Sequence, residues 1–196
     1  MIHIPTIIGA TPIDDISGLK INITTNAELE AAEAENISKA VVKYLAKRPS
    51  SKTASFDVKW SLKLHKEMYG NVWNWAGELR QSQPNIGVPV YQVRTDLHNL
   101  LEDLIVWKKS GMDLIEQAAR LHHRAVFIHP FQNGNGRWSR MLADIWLKQN
   151  GGQPIKWPSQ IMKESPIRRE YIDAVKKADN GTFNPLIEIF RAYVSK

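Results

Sequence analysis

Three features of the sequence predict an all-α fold. Apolar residues recur at helical spacing through most of its length, cap residues and prolines stand where helices should begin, and a single valine-rich stretch suggests strand pairing. These signals amount to a helical bundle of about seven helices with one small β-hairpin. With 196 residues the chain can bury one sizeable core but not two comfortable ones. We divide it into an N-terminal arm and helix packed on the core, residues 1–50, and a main helical domain, residues 51–196.

Residues 1 to about 23 scatter Pro5, Gly9, Pro12 and Gly18 among apolar residues, which describes an extended arm without a regular element. Thr25 and Glu28 have capping-box spacing, and Leu29, Ile37, Val41, Tyr44 and Leu45 then form a stripe that ends before Pro49. From Ser55 to Tyr69, Phe56, Trp60, Leu64 and Met68 recur every fourth position until Gly70. Trp73 and Trp75 beside Gly77 are expected to stop this helix and roof the core. Gln83 to Val93 holds two prolines, Gly87, and Val88, Val90 and Val93 around Tyr91, so it is either a short hairpin covering something or a plain surface loop. A helix over 94–107 follows with Leu97, Leu101, Leu104 and Ile105 inward, and another begins at the N-cap Asp113 with Leu114, Ala118, Leu121 and Ala125 inward. Trp138, Met141, Leu142, Ile145 and Trp146 mark the next helical face, closed by Asn150-Gly151-Gly152. Ser165-Pro166 and Asn184-Pro185 each place a cap before a proline and open two last helices.

Composition narrows the function classes. The chain is 43% hydrophobic and 23% charged, as ordinary globular proteins are, and holds no apolar run approaching the ~18 residues a membrane span requires. Its first residues lack the basic and apolar regions of a signal peptide, and there is no cysteine for disulfides or thiolate metal sites, so a cytoplasmic location is expected. A net charge of +6 suits nucleic acid, nucleotide phosphates or an acidic partner protein alike. Lys43, Lys47, Arg48 and Lys52 cluster only modestly and show no recognition-helix signature, which disfavours nucleic acid.

The chemistry concentrates between Ile128 and Arg140. Gly134 and Gly136 bracket Asn135 just before a helix, where backbone N–H groups can converge on an anion and the helix dipole adds its positive end. Arg137 and Arg140, three apart, share a helical face at that end, and their forked guanidinium groups suit more than one phosphoryl group. His129 stands five residues before Gly134, its backbone expected to be extended ahead of Pro130. An imidazole there can take a proton from an attacking hydroxyl near neutral pH; the bland alternative is a buried histidine bonded to a carbonyl.

The whole string closely resembles the motif of the Fic (Fic/Doc) family, His-Pro-Phe-x-Asp/Glu-Gly-Asn-Gly-Arg-x-x-Arg, at His129, Pro130, Phe131, Gly134, Asn135, Gly136, Arg137 and Arg140. Trp75 to Arg80 looks like the segment that precedes that family's flap, and Leu121 to Arg124 like its lead-in helix, so the resemblance covers residues 55 to about 194. Within the family the chain is most similar to the bacterial mobile mystery protein B group. The resemblance implies a Fic-type bundle whose residues 51–196 are the catalytic domain, and an enzyme that transfers AMP from ATP to a hydroxyl side chain of a target protein. It further implies that His129 is the base, that Gly134, Asn135 and Gly136 bind the transferred phosphate, and that Arg137 and Arg140 hold the others. Gly87, Val88, Val90 and Tyr91 would belong to a flap that aligns the target by strand addition. Relatives are often encoded beside a helix-turn-helix protein, which would be a regulatory partner.

Two positions depart from the family pattern. Asn133 stands where the family has an acidic ligand for magnesium, and an amide oxygen adds no negative charge, so Mg²⁺ binding is expected to be weaker. This leaves open a rival in which the chain binds nucleotide or a partner without efficient catalysis, or transfers a different nucleotide or phosphoryl group. Many family members also carry an inhibitory glutamate on a Ser/Thr-x-x-x-Glu-Gly/Asn helix. Glu35-Asn36 matches only the end of it, with Ala31 in place of the hydroxyl, so Glu35 is either a brake on Arg140 or part of a solvated acidic face.

Overall fold

The computed structural model describes residues 18–195, so most of the arm expected over residues 1–23 lies outside the described residues. Among the described residues seven helices form: α1 (Asn26–Leu45), α2 (Val58–Tyr69), α3 (Val93–Lys109), α4 (Leu114–Ile128), α5 (Asn135–Gln149), α6 (Pro166–Asp179) and α7 (Asn184–Tyr193). Short 3-10 turns occupy Val90–Gln92 and Ser159–Met162. Among the described residues no sheet forms, only isolated antiparallel bridges between Leu19 and Trp73 and between Ile155 and Val194. Among the described residues no helix is long and apolar enough to cross a membrane.

The bundle is built around α5. Every residue from Trp138 to Leu147 is buried, because one side of the helix packs on α1 and α2 and the antiparallel helix α4 covers another. The sequence pattern exposed only one of these faces. The second, carrying Ala143 and Leu147, joins Ala118 and Ala119 of α4 and Phe190 of α7 in a separate apolar cluster. Alanines at the α4–α5 contact leave room for the two helices to run close together.

Local chemistry accounts for most helix ends. Thr25 accepts from the Glu28 N–H at 3.2 Å while the Glu28 carboxylate accepts from the Thr25 N–H at 3.1 Å, completing the capping box. Asp113 and Ser165 cap α4 and α6 by accepting from the Glu116 and Arg168 N–H groups. Two starts differ from expectation. Helix α2 begins at Val58 behind an Asp57 cap, with Phe56 outside it at φ 52°, and Phe183 rather than Asn184 takes the cap position of α7.

The inward face of α1 consists of Leu29, Glu33, Asn36, Ala40 and Tyr44, while Val41 lies 39% exposed. Polar residues hold buried positions here because each has a partner: Trp73 Nε1 donates to Glu33 at 2.7 Å, and Asn71 donates to Asn36 at 2.9 Å. Ile105, expected inward, is likewise half exposed. Trp73 is fully buried and stacks on Trp75 with ring centroids 5.0 Å apart.

No hairpin forms over residues 83–93. The backbone groups that a ladder would pair are taken by side chains instead: Val90 N–H donates to Gln83 Oε1 at 3.1 Å, and Val88 C=O accepts from the Arg80 guanidinium. Residues 83–89 are an irregular loop, Val90 and Tyr91 enter the 3-10 turn, and Val93 starts α3.

The capping box offers a direct check. Thr25→Ala should lower stability by about 1 kcal/mol in denaturant unfolding. Glu35→Ala, on the exposed side of the same helix, should leave the midpoint unchanged.

Candidate active site

The loop between α4 and α5 is held in shape by partners from four directions. His129 ends α4 in the left-handed region, φ 54° and ψ 60°, rather than in the extended conformation expected ahead of Pro130. Its N–H still bonds Ala125 C=O at 3.2 Å, so the chain leaves the helix with a sharp turn. Arg80 compensates for the exposed helix carbonyls. Its Nε donates to His129 C=O at 2.7 Å, its Nη2 reaches Ile128 C=O at 3.5 Å, and its own N–H donates to Pro130 C=O at 2.9 Å. The same guanidinium also bonds Ser82 and Val88 carbonyls. One buried cation therefore ties the 83–89 loop to the His129 turn.

Gly87 shows how closely those two segments approach. It sits at φ 95°, and a Cβ there would come within 2.7 Å of His129 Cβ and 3.1 Å of Arg80 Nη2. Glycine is required on both counts. Around it Val88 is buried, Val90 half-buried and Tyr91 81% exposed.

Farther along, Asn135 clips the loop closed by accepting from Phe131 N–H at 2.9 Å and donating to Phe131 C=O at 2.8 Å. Phe131 is fully buried, stacked on His65 at 3.6 Å and edge-on to Trp138. His65 accepts from Gly77 N–H through Nδ1 at 3.0 Å, so its Nε2 carries the proton donated to Asn133 C=O at 3.1 Å. Burial holds it neutral, with its pKa lowered to about 3. Gly134, at φ 78°, lies against the Tyr69 ring, which a Cβ would meet at 2.7 Å, and Tyr69 OH donates to its carbonyl at 3.4 Å.

The glycine-bracketed N-terminus of α5 is flanked by its two arginines in different ways. Arg140 is buried over the Trp157 ring and bonded to Tyr171, with Nη1 3.8 Å from where a Gly136 Cβ would stand. Arg137 turns toward α1, where it pairs with buried Glu33 at 2.5 Å and lies over Tyr69. Of the two readings of Glu35, a brake on Arg140 or a solvated acidic face, the structure has the second: it is 69% exposed and paired with Lys39 at 2.6 Å. The acid that points inward is Glu33, which falls four residues after Leu29 on the buried face.

Asn133, in the position of the expected metal ligand, turns its Oδ1 onto the Gly134 N–H at 2.5 Å. No group of three or more His, Asp or Glu side chains converges among the described residues. With its amide oxygen engaged in the loop, Asn133 does not fit as the anchor of a protein-held divalent cation.

The site's electrostatics follow from burial. His129 is 5% exposed, and burial with Arg80 nearby lowers its pKa to about 4, so the imidazole is neutral at pH 7. Below Arg140, Asp144 accepts from Ile155 N–H at 2.9 Å and Trp157 Nε1 at 3.1 Å, and burial raises its pKa to about 7. His122 donates to or accepts from Tyr171 OH at 2.8 Å and is held neutral with a pKa near 3. Arg80 closes the Trp75 to Arg80 segment that resemblance marks in the sequence, but its bonds to the His129 turn are not legible there. His65, Tyr69, Glu33, Asp144 and Tyr171 carry no motif signal, and only their polar character at positions on buried helix faces hints at them.

Acid should expose these buried groups in a stability profile. Below about pH 6.5 the unfolded chain protonates His65, His122 and His129 while the folded chain does not, so stability falls as pH falls toward their folded values of about 3, 3 and 4. Asp144 works in the opposite sense, since its folded carboxyl binds a proton near pH 7 and its unfolded one near the usual value of 3.8. The net loss near pH 5 is about 2.5 kcal/mol per pH unit, measurable by urea titration in a pH series.

A Fic/DOC family model matches residues 55–147. The protein adenylyltransferase Fic of Aedes aegypti is 31% identical over 153 residues, which is 76% of this chain but only 30% of that protein. The chain thus spans less than a third of the curated relatives it matches. Fic-1 from C. elegans shares the fold with a TM-score of 0.69 at 24% identity, over 88% of this chain and 51% of that one. BepC from Bartonella tribocorum, solved with bound AMPPNP, superposes with a TM-score of 0.68 at 19% identity, over 91% and 92% of the two chains. Residues 55–147, from the approach to α2 to the end of the buried stretch of α5, carry the similarity to the Fic/DOC family.

Proposed function

We propose that this chain is a protein adenylyltransferase that moves AMP from ATP to a hydroxyl side chain of a protein target. The observation that carries this reading is a neutral, buried imidazole at the end of α4, directly before a glycine-bracketed helix N-terminus with Arg140 beside it. The names of the relatives and the nucleotide analogue bound in the BepC structure support the donor class. The cysteine-free composition suits the cytoplasm, and on the resemblance of its N-terminal segment and asparagine-bearing motif we assign the chain to the bacterial mobile mystery protein B group.

In this reaction the target hydroxyl attacks the α-phosphorus. Its proton passes to His129, the new O–P bond forms, and pyrophosphate leaves with the electrons of the broken P–O bond. The backbone N–H groups of Gly134, Asn135 and Gly136 and the positive end of α5 stabilise the charge that builds on the phosphoryl oxygens. Arg140 holds the leaving phosphates. Bound triphosphate places negative charge near His129 and moves its pKa up, toward the value at which a base works best near neutral pH. Gly87, Val88, Val90 and Tyr91 present the target segment, through an irregular loop whose Gly87 lies against His129 rather than through a preformed strand.

The test is labelling with ATP radioactive at the α-phosphate. Wild type should mark itself or an added protein, and His129→Ala should lose this by about 10²-fold or more. Equal labelling by both would overturn the assignment. A second reading, a nucleotide-binding module with weakened transfer, is favoured by Asn133, whose Oδ1 is spent on Gly134. It predicts nucleotide affinity in calorimetry without turnover, and labelling that appears only in Asn133→Asp.

Glu33 competes in this scheme with phosphate for Arg137. Glu33→Gln keeps an acceptor for Trp73 but removes the charge, so ATP affinity should rise by about tenfold. The thermal midpoint should fall, because Arg137 is left without its buried counter-ion. Unchanged affinity would show that the pair is purely structural.

A further inference from the structure

Beside the proposed docking loop lies a second feature that the transfer chemistry does not use. Lys59, Lys63 and Lys66 stand at i, i+4 and i+7 of α2, on one face, and Arg94 of α3 closes the opposite side of a groove of about 560 Å³. Val58 and Leu62 form its apolar floor, and no acidic residue lines it. Lys63 approaches Glu67 at 3.8 Å, whereas Lys59, Lys66 and Arg94 sit in no ion pair among the described residues. Four cations held in a concave surface without lining carboxylates repel one another, a cost that an anionic occupant would remove.

The groove is continuous with the site. Arg94 is the second residue of α3, directly after the 83–93 segment that meets His129 through Gly87. Its other wall is the turn at Gly77, which lies against α2 so closely that a Cβ there would meet Lys66 Cβ at 2.7 Å. From that turn the chain runs three residues to Arg80, the clamp on His129.

We propose that this groove docks an acidic segment of the target protein, resting on the adenylyltransferase reading above, so that a hydroxyl near the acidic run is delivered to the 83–93 loop. Lysine ammonium groups on long stems read carboxylates at variable positions, while Val58 and Leu62 accept interspersed apolar side chains. A protein segment fits better than nucleic acid, because no aromatic ring lines the groove to stack a base.

The test uses a short fluorescein-labelled polyglutamate peptide with a central serine, followed by anisotropy at low salt. Wild type is compared with Lys59→Glu/Lys63→Glu and with Lys176→Glu/Lys177→Glu, an equal charge change on α6, which packs on α4 and α7. Circular dichroism melts establish that each variant is folded. Affinity should drop about tenfold or more in the α2 pair, remain within about twofold in the α6 pair, and weaken as salt is raised. No peptide binding by wild type, equal loss in both pairs, or a single-stranded DNA oligomer that binds more tightly and loses affinity in the α2 pair would each overturn the proposal. Labelling by ATP without a target is measured on the same variants and should be unchanged. If wild type binds peptide through the groove yet transfers no label, the adenylyltransferase reading fails while the groove stands; labelling without groove-dependent binding has the reverse meaning.

Discussion

The Arg80 guanidinium bonds the carbonyls of Ser82 and Val88 on one side and of Ile128 and His129 on the other, all from within the protein interior. Hydrogen bonds from a charged donor contribute about 1.5–3 kcal/mol each when both partners are buried, and losing the donor strands the acceptors. A left-handed residue at the end of α4 is tolerated because this clamp, together with the Arg80 N–H to Pro130, over-determines it. With His129 so placed, Gly87 can come to rest against it and the α4–α5 loop can turn toward Asn135. The catalytic geometry we propose depends on this cation more than on any motif residue.

A second constraint is the burial of α5 from Trp138 to Leu147. A helix that is enclosed on all sides has no solvent in which to leave its polar side chains, so each must be partnered by a neighbouring element. Arg137 finds Glu33 on α1, Arg140 lies against Trp157 and Tyr171, and Asp144 receives two N–H groups from the chain after α5. These pairings orient the two arginines toward different neighbours, although their spacing alone puts them on one helical face. Under the proposed function, the Glu33–Arg137 pair makes access to Arg137 conditional on displacing a buried carboxylate. That arrangement joins the N-terminal helix to the loop through an ion pair.

Much of the fold and part of the site are legible in the sequence. Seven helices follow from apolar spacing and from caps such as Thr25 and Asp113, since helix formation near its ends is governed by neighbours three and four residues away. The loop from His129 to Arg140 is legible for a similar reason: glycine conformations, a base and a helix N-terminus lie within a short run of successive positions. The irregular course of residues 83–93 is not, because valine content reports a fit to a pleated surface and is silent about side chains such as Arg80 and Gln83 that can take over the backbone partners of a strand.

By itself, then, the sequence determined what depends on short separations along the chain: helix positions, the glycine turn, and the histidine and arginines that the loop brings together. Tertiary structure alone decided what depends on distant segments meeting. It selected Glu33 over Glu35 as the acid that reaches the motif, a difference of two residues that rotates a side chain from solvent to core on a helix of 3.6 residues per turn. It brought His65 of α2 under Phe131 and Arg80 onto His129, contacts between residues 66 and 49 positions apart. Burial then set their charge states, because a carboxyl or imidazole removed from water is neutral or paired according to what packs on it, and no local pattern encodes that neighbour.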